Sequence, residues 1–203
     1  MTEHAYNSTK YNSRTRWMNF WHQVDEVMAL RPQTVLEVGK GAGIVASRLS
    51  SLGCKVTVVD IDPGLKPDIV ASVEKIPVPD GAYDVVLAAE ILEHLPLKRV
   101  PGALRELRRV GQRVVVTLPH AGTALIARLR VPWGGDYMLF MKIPFFWKAH
   151  SNKYGDFRGH YWELGKRDYP RSRARKLFRE AGFQILKEQI WPDDFIHIFF
   201  VLE

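Results

Sequence analysis

The sequence predicts an α/β protein built on a doubly wound sheet of seven strands, mostly parallel, with an antiparallel hairpin at the C-terminal end. Short apolar, β-branched segments alternate with segments of helical periodicity, which is the pattern of such a sheet. A glycine-rich turn joins the first strand to a helix at 39–43. Only residues 191–195 separate the last two strands, and a parallel crossover needs about a dozen residues or more, so this pair is antiparallel.

Apolar runs and capping residues give the individual elements. The expected strands are 34–38, 55–60, 69–73, 84–89, 114–118, 184–190 and 196–202. The expected helices are 14–30, 43–52, 98–109 and 171–181. Pro101 suits the first turn of its helix, and Gly53 and Gly182 follow helices as C-terminal caps do. The whole chain, 1–203, is expected to form one domain.

Residues 119–170 do not follow the alternation and are expected to form a cap inserted after the fifth strand. The segment contains eleven aromatic residues and three histidines. Ligands of open α/β sheets bind beyond the carboxyl ends of the strands, and long irregular segments are usually functional. We therefore expect a small helical cap, with some rings packing inside it and a few lining an acceptor pocket.

The turn after the first strand is suited to binding a nucleotide-like cofactor. Gly39, Gly41 and Gly43 let a ligand approach bare backbone at the start of a helix. Ile44 breaks the dinucleotide fingerprint, and the phosphate-loop ending is also absent. Asp60, at the tip of the second strand, is placed to accept hydrogen bonds from ribose hydroxyls. The alternative is that Asp60 only shapes the following turn.

Residues 72–95 carry the most specific motif, in which Tyr-Asp-Val-Val-Leu-Ala-Ala leads into Glu-Ile-Leu-Glu-His-Leu. Here the chain resembles the class I S-adenosylmethionine-dependent methyltransferases. More narrowly, it is similar to the small methyltransferases of the type 11 group, whose fourth strand runs into Glu-x-Leu-Glu-His-Leu. The resemblance is close over 34–118 and looser towards the C-terminus. It implies a Rossmann-like fold and S-adenosylmethionine as the cofactor.

The resemblance also implies roles for single residues. Asp60 would hold the ribose, and Ile61 would lie against the adenine. The amino-acid end of the cofactor would be held by Glu37, Gly39, Lys40, Gly41 and Gly43.

Farther along the chain, Ser72 and Val73 would edge the adenine, although Ser72 stands where relatives often have Asp. Glu90 would lie near the sulfonium and the acceptor cleft. Glu93 and His94 are expected to form a structural turn onto the next helix.

Three residues are candidates for a general base, which a hydroxyl acceptor would need. His120 follows the fifth strand at the ligand end of the sheet, and geometry favours it. His160 and Glu90 are the others, with a packing role as the alternative for His160. The chemistry needs no metal, and the sequence shows no convincing metal-ligand spacing. The Asn/Asp-Pro-Pro-Tyr motif of nucleic-acid amine methylation is absent after the fourth strand.

Charge and composition bound the partners. The net charge is +7, and residues 120–180 contain thirteen basic and five acidic side chains. A basic cap suits an anionic acceptor or nucleic acid, whereas 171–179 is better explained as a solvated helix face. Interleaved aromatic and basic residues at 137–148 could touch a membrane surface. A single cysteine, Cys54, excludes an internal disulfide and a cysteine-ligated metal centre.

These observations predict methyl transfer to an unidentified acceptor, a small or anionic molecule, in the cytoplasm, since the N-terminus lacks an apolar signal region. One alternative is a methyltransferase acting on nucleic acid such as RNA, which we do not favour. Another is a non-catalytic subunit that binds S-adenosylmethionine and stabilises a partner. No pattern in the chain specifies the acceptor or an oligomeric state.

Overall fold

A computed structural model describes residues 12–145, 147–148 and 159–203. Part of the expected cap lies outside these residues. This part includes the aromatic residues Phe146, Tyr154 and Phe157, with His150, Lys153, Asp156 and Arg158.

The described residues contain the predicted seven-stranded sheet. Its strands are β1 (Thr34–Val38), β2 (Lys55–Asp60), β3 (Ile69–Val70), β4 (Tyr83–Ala89), β5 (Gly111–Pro119), β8 (Ile185–Trp191) and β9 (Asp194–Leu202). Their order in the sheet is β3-β2-β1-β4-β5-β9-β8. The first five are parallel, and β9 runs antiparallel to both β5 and β8, as the short connection required. The third strand is shorter than expected because the Ser72 hydroxyl accepts from the Glu74 N–H and begins a turn.

Helices cover both faces of this sheet and make it doubly wound. They are α1 (Arg14–Ala29), α2 (Ile44–Ser51), α3 (Val100–Val110) and α4 (Arg171–Glu180). Because side chains alternate along a strand, Val85 and Leu87 of β4 pack with α1 and α2, while Val86 and Ala88 pack with α3 and α4. The two buried clusters therefore lie on opposite faces, and the site is left to the edge where the strands end.

Asp84 in the Tyr-Asp-Val-Val motif has a structural role. Its carboxylate accepts hydrogen bonds from the backbone N–H groups of Gln33 and Thr34, each at 2.8 Å. These hydrogen bonds hold the pKa of Asp84 below its ordinary value. The Thr34 hydroxyl accepts in return from the Asp84 N–H at 3.0 Å. The aspartate thus fixes the register of β4 against β1, on whose tips the site depends.

The expectation of a small helical cap was wrong for 122–144, which form an antiparallel ribbon. Strands β6 (Gly122–Val131) and β7 (Gly135–Pro144) pair from Gly122 with Pro144 to Val131 with Gly135. The three-residue connection, 132–134, contains Gly134 and lies between two apolar runs, which is a hairpin signal. At the base of the ribbon, Lys142 Nζ donates to the backbone oxygens of His120 and Phe195 at 3.2 and 2.6 Å.

This ribbon exposes many large apolar side chains. Trp133 at its tip is fully exposed. The others that are more than a third exposed are Leu125, Ile126, Leu129, Val131, Tyr137, Met138, Leu139, Met141 and Ile143. None of the helices in the described part of the chain has the length and apolar character needed to cross a bilayer.

Candidate active site

A cleft of about 1300 Å³ opens at the carboxyl ends of β1, β2, β4 and β5. This is where the order of the sheet reverses between β1 and β4, the place at which open α/β sheets bind ligands. The glycine turn lines one part of the cleft, and the residues after β4 and β5 line the other. The predicted site residues from Glu37 to His160 lie along this single cavity.

The glycine turn has a conformation that depends on its glycines. The φ angles of Gly39, Gly41 and Gly43 are +92°, +49° and +69°, all in the left-handed region that side chains disfavour. Gly39 N–H donates to the Val59 carbonyl at 2.7 Å, which fixes the turn to β2. Lys40 Nζ donates to the backbone oxygens of Leu65 and Lys66. The Lys40 side chain therefore supports the glycine turn, which forms a cradle, and the Lys40 backbone lines that cradle.

Asp60 supports this turn and faces the same cleft. Its Oδ2 accepts from the Lys40 N–H at 2.7 Å, and its Oδ1 accepts from the Asp62 N–H at 2.9 Å. A carboxylate has about four acceptor sites, so these bonds leave capacity for ligand hydroxyls. Ile61 is 73% exposed beside it and offers an apolar surface to a flat ring. Ser72 and Val73 also line the cavity.

Glu37 is a buried acid, one of whose carboxylate oxygens lacks a hydrogen-bond partner among the described residues. Its side chain is 5% exposed, and Oε2 has no hydrogen-bond partner among the described residues. Burial raises the pKa of Glu37 to about 8, and the charge of Asp60 adds to this increase, although a hydrogen bond from the Ala46 backbone opposes it. A positively charged ligand group would supply the missing partner. The glycine cradle, Asp60 and this carboxylate fit the amino-acid end and ribose of S-adenosylmethionine.

Glu90 is the centre of a charged network that the sequence did not reveal. Its backbone has a φ of +55°, which is strained for a non-glycine residue. Both carboxylate oxygens accept from Arg16 Nη1 at 2.7 Å, and His197 Nε2 lies 3.4 Å from Oε1. Asp194 binds the other His197 nitrogen at 2.6 Å and is itself held by Asn19 at 2.8 Å.

This network fixes the charges of its members. Burial alone lowers the pKa of His197, but the Glu90 charge and the Asp194 hydrogen bond outweigh it and raise that pKa to about 10. Burial opposes ionisation of Glu90, yet His197 and Arg16 hold its pKa below the ordinary range. Glu90 is thus a carboxylate ion held between two cations. Its lowered pKa makes it a weak base. Of the three candidate bases, it fits that role least.

His120 has the properties of a neutral base. It follows β5 directly, is 2% exposed, and neither ring nitrogen has a hydrogen-bond partner among the described residues. Burial, together with the charges of Lys142 and Arg171, lowers the pKa of His120 to about 4. The imidazole is therefore neutral at pH 7 and can accept a proton, and its lowered pKa makes it a weaker base than an ordinary histidine.

His160 is also buried in this cleft, where its Nδ1 lies 3.3 Å from Glu163 Oε1. Lys166 Nζ lies 2.7 Å from the second oxygen of Glu163. Burial opposes ionisation of Glu163, but these two partners lower its pKa to about 2. His160 is therefore anchored by a carboxylate, whereas His120 is not.

Glu93 and His94 lie in a 3₁₀ turn, Leu92–His94, as the structural turn was expected to. The segment beginning at Gly159 is hydrogen-bonded to this turn. Tyr161 N–H donates to the Glu93 carbonyl at 2.8 Å, and His94 Nδ1 lies 3.3 Å from the Gly159 carbonyl. Glu93 itself is fully buried, and burial and the Glu90 charge raise the pKa of its carboxyl well above the ordinary value.

Comparisons with known proteins agree with this geometry. Residues 36–114 match the sequence profile of the family described as "Methyltransferase domain". An uncharacterized methyltransferase of Mycobacteroides abscessus is 25% identical over 169 residues, which is 75% of this chain and 58% of the relative. The chain thus spans little more than half the length of that relative.

Two solved structures share the fold. The 1,6-didemethyltoxoflavin-N1-methyltransferase of Burkholderia thailandensis, solved with S-adenosylhomocysteine, has a TM-score of 0.59 and 13% identity, covering 90% of this chain and 76% of that one. The CcbJ methyltransferase of Streptomyces caelestis has a TM-score of 0.59 and 15% identity, covering 91% and 89%. The sheet order and the glycine turn agree with the fold of these two structures, and together with the profile matched over 36–114 they support a class I S-adenosylmethionine-dependent methyltransferase.

Proposed function

We propose that the protein transfers the methyl group of S-adenosylmethionine to a small acceptor bound between the glycine turn and the ribbon. One observation carries this proposal. A single cleft joins a cradle with an unpartnered buried acid, Glu37, to a neutral, desolvated imidazole, His120. The first feature suits a cationic cofactor, and the second suits an acceptor that must lose a proton.

When bound, the cofactor supplies a methyl group that is already electrophilic on its sulfonium. The protein then has to align an acceptor lone pair with the methyl–sulfur bond and to exclude water. Glu37, the glycine turn and Asp60 would fix the cofactor. Glu90, an anion at the end of β4, would lie where the positive sulfonium is expected. His120 would accept the proton of a hydroxyl acceptor.

The experiment is a screen of small-molecule, lipid and sugar acceptors with methyl-labelled S-adenosylmethionine. We expect label transfer and release of S-adenosylhomocysteine with one acceptor class. His120→Ala should lower turnover about a hundredfold or more, the usual share of a general base, and leave the cofactor dissociation constant within about threefold. Tight cofactor binding without turnover on any class would favour the non-catalytic subunit instead.

We also expect cofactor binding to release a proton at pH 7, because the ligand ammonium would ionise Glu37. The pKa of Glu37 is about 8 in the free protein, so the binding form becomes more populated as pH rises. Affinity should therefore increase by about tenfold per pH unit between pH 6 and 7 and level off near pH 8. Calorimetry in two buffers with different ionisation enthalpies measures the proton directly.

The matched control is Glu37→Gln, which keeps the size of the side chain but cannot ionise. This variant should bind more weakly at pH 8 and show neither proton release nor the rise of affinity with pH. If wild type releases no proton at pH 7, Glu37 does not contact the ammonium group.

The ribbon makes an anionic lipid surface the partner we favour over nucleic acid. The exposed side chains of the ribbon are mainly apolar, with Trp133 at the tip. Arg128 and Arg130 are exposed on β6. Amphipathic surfaces of this composition bind headgroup regions of bilayers. We expect wild type to sediment with vesicles that contain phosphatidylglycerol.

Two variants separate the ribbon from other exposed aromatic residues. Trp133→Ser should reduce sedimentation, whereas Trp21→Ser, which changes a 56% exposed residue of α1, should not. If wild type stays in the supernatant and instead binds short RNA with a steep salt dependence, the nucleic-acid alternative is the better one.

A further inference from the structure

Three metal-ligand side chains from two distant segments converge beside the cleft. Glu93 and His94 come from the turn after β4, and His160 comes from the segment that follows the ribbon. One potential ligand atom of each lies within 4.8 Å of the others. The two imidazole rings meet edge to face with 4.9 Å between their centroids. Residues 93 and 160 are too far apart in sequence for any spacing motif to connect them.

The Glu93 carboxylate lacks a positively charged partner among the described residues. The residue is fully buried, and neither carboxylate oxygen has a hydrogen-bond partner among the described residues. A buried carboxylate is normally paired, hydrogen-bonded or bound to a metal, since its desolvation is otherwise uncompensated. Within the described part of the chain, neither Arg nor Lys makes an ion pair with it. The neighbouring groups that remain are the two imidazoles.

Both histidines are held in the way that metal-ligating histidines usually are. A ligating imidazole typically uses its second nitrogen to contact a carboxylate or a backbone oxygen. His160 contacts the Glu163 carboxylate, which Lys166 fixes in turn, and His94 contacts the Gly159 carbonyl. Gly159 has a φ of +79°, and a Cβ there would lie 3.4 Å from the His94 ring. The backbone approaches the ring closely at that position.

We propose that Glu93, His94 and His160 bind a divalent first-row metal ion through one carboxylate oxygen and two imidazole nitrogens. This set suits Zn²⁺, Co²⁺, Fe²⁺ or Mn²⁺, since imidazole binds such ions better than Mg²⁺ or Ca²⁺. A tetrahedral ion with bonds of about 2.0–2.2 Å holds its ligand atoms roughly 3.3–3.6 Å apart. The ligand atoms here lie within 4.8 Å of one another, so rotation of the exposed His94 ring has to bring them closer by roughly 1 Å.

The site deepens the proposed methyl transfer and rests on it for its role. His94 and His160 line the same cleft as Glu90 and His120. Three protein ligands leave coordination positions for an acceptor, and a bound cation lowers the pKa of a hydroxyl that it holds. The acceptor class would then be an alcohol or phenol with a second oxygen beside the reacting one.

The transfer balances without any redox change. The acceptor oxygen forms the new bond to the methyl carbon, and the carbon–sulfur bond breaks with its electron pair going to sulfur. The proton of the acceptor goes to His120 or to solvent. The metal keeps its oxidation state throughout.

Co²⁺ is the probe, because its visible absorption reports coordination by nitrogen and oxygen ligands. The untagged full chain, freed of metal with a chelator, is titrated and followed by absorbance and calorimetry. We expect one saturable site. Glu93→Gln and His160→Gln should each weaken Co²⁺ binding by about tenfold or more, at least the loss seen for outer-shell changes. His120→Gln, which changes another buried histidine of this cleft, should bind as wild type does.

Two results would overturn the site: no saturable binding of Co²⁺ up to about 1 mM, which corresponds to negligible affinity, or equal affinities for wild type, Glu93→Gln and His160→Gln. Circular dichroism confirms that each variant is folded. A parallel titration with S-adenosylmethionine in the presence of chelator tests the cofactor cradle alone. If Co²⁺ binds and the cofactor does not, the proposed function fails while the metal site stands, and the reverse pattern separates them equally well.

Discussion

Replacing Gly41 with Val is expected to weaken S-adenosylmethionine binding by at least about a hundredfold, equivalent to roughly 2.7 kcal/mol. The φ of Gly41 is +49°, where a β-branched residue is a clear outlier. The turn would have to change shape, and its backbone would no longer match the amino-acid end of the cofactor. Calorimetry on the folded variant measures the loss.

Gly81→Val is the matched control for this change. Gly81 has a φ of +62°, so Val is strained there in the same way, and a Cβ at that position meets no atom within 4 Å. It lies in the turn before β4, away from the cleft. Both variants should lose similar unfolding free energy, but Gly81→Val should keep the cofactor affinity within about twofold of wild type. Near-normal affinity for folded Gly41→Val would remove the cradle from the cofactor site.

The parts of the molecule that could be predicted from sequence are those with local causes. The glycine turn and Asp60 follow from residue types within 25 positions of one another, and the structure brings them to one edge of the sheet. The antiparallel pairing of β8 with β9 follows from the short connection between these two strands alone. In each case the deciding interaction is made by neighbouring segments, which a pattern along the chain can show.

The charged groups of the acceptor side have no such local cause. Arg16 and Glu90 are 74 residues apart in sequence, and His197 lies on the antiparallel strand beside β5. Nothing in a helical arginine or a strand histidine indicates its partner before the sheet order is known. Glu93 and His160 are likewise far apart in sequence, and nothing in either residue indicates the other before the fold is known. Sequence reasoning placed Glu90 in the cleft, but it could not give the charge that Arg16 and His197 impose on it.

The ribbon shows a different limit. Residues 122–144 do alternate with a period of two. One face of the ribbon carries Leu125, Leu129, Tyr137, Leu139 and Met141, and the other carries Arg128, Arg130 and Lys142. Alternation along a strand arises from one buried and one solvated face. In this ribbon the apolar face is exposed, so the period was present in the sequence, and the expectation that its side chains would pack inside a helical cap was wrong.

Glu90→Gln is expected to lower the free energy of unfolding by about 3–5 kcal/mol at pH 7, the scale for breaking a buried ion pair on one side. The substitution keeps the shape but leaves two cations, Arg16 and His197, without their shared anion. The His197 side chain is only 6% exposed and cannot regain hydration. Urea unfolding measures the loss. The control is Glu180→Gln, which removes the surface partner of Lys176; the Glu180 and Lys176 side chains are 58% and 74% exposed. This change should lower the free energy of unfolding by less than about 0.5 kcal/mol.

The pH dependence of this loss identifies its cause. The pKa of His197 is raised to about 10 in the folded protein against 6.5 ordinarily, so its pairing stabilises fully below pH 6.5 and is lost as pH rises through 10. The pKa of Glu90 is depressed, so its contribution is present above about pH 4.5 and is lost on further acidification. The difference between wild type and Glu90→Gln should therefore be largest near pH 5–7 and shrink towards pH 10. A difference that stays constant from pH 7 to 10 would show that His197 is not the charge that Glu90 stabilises.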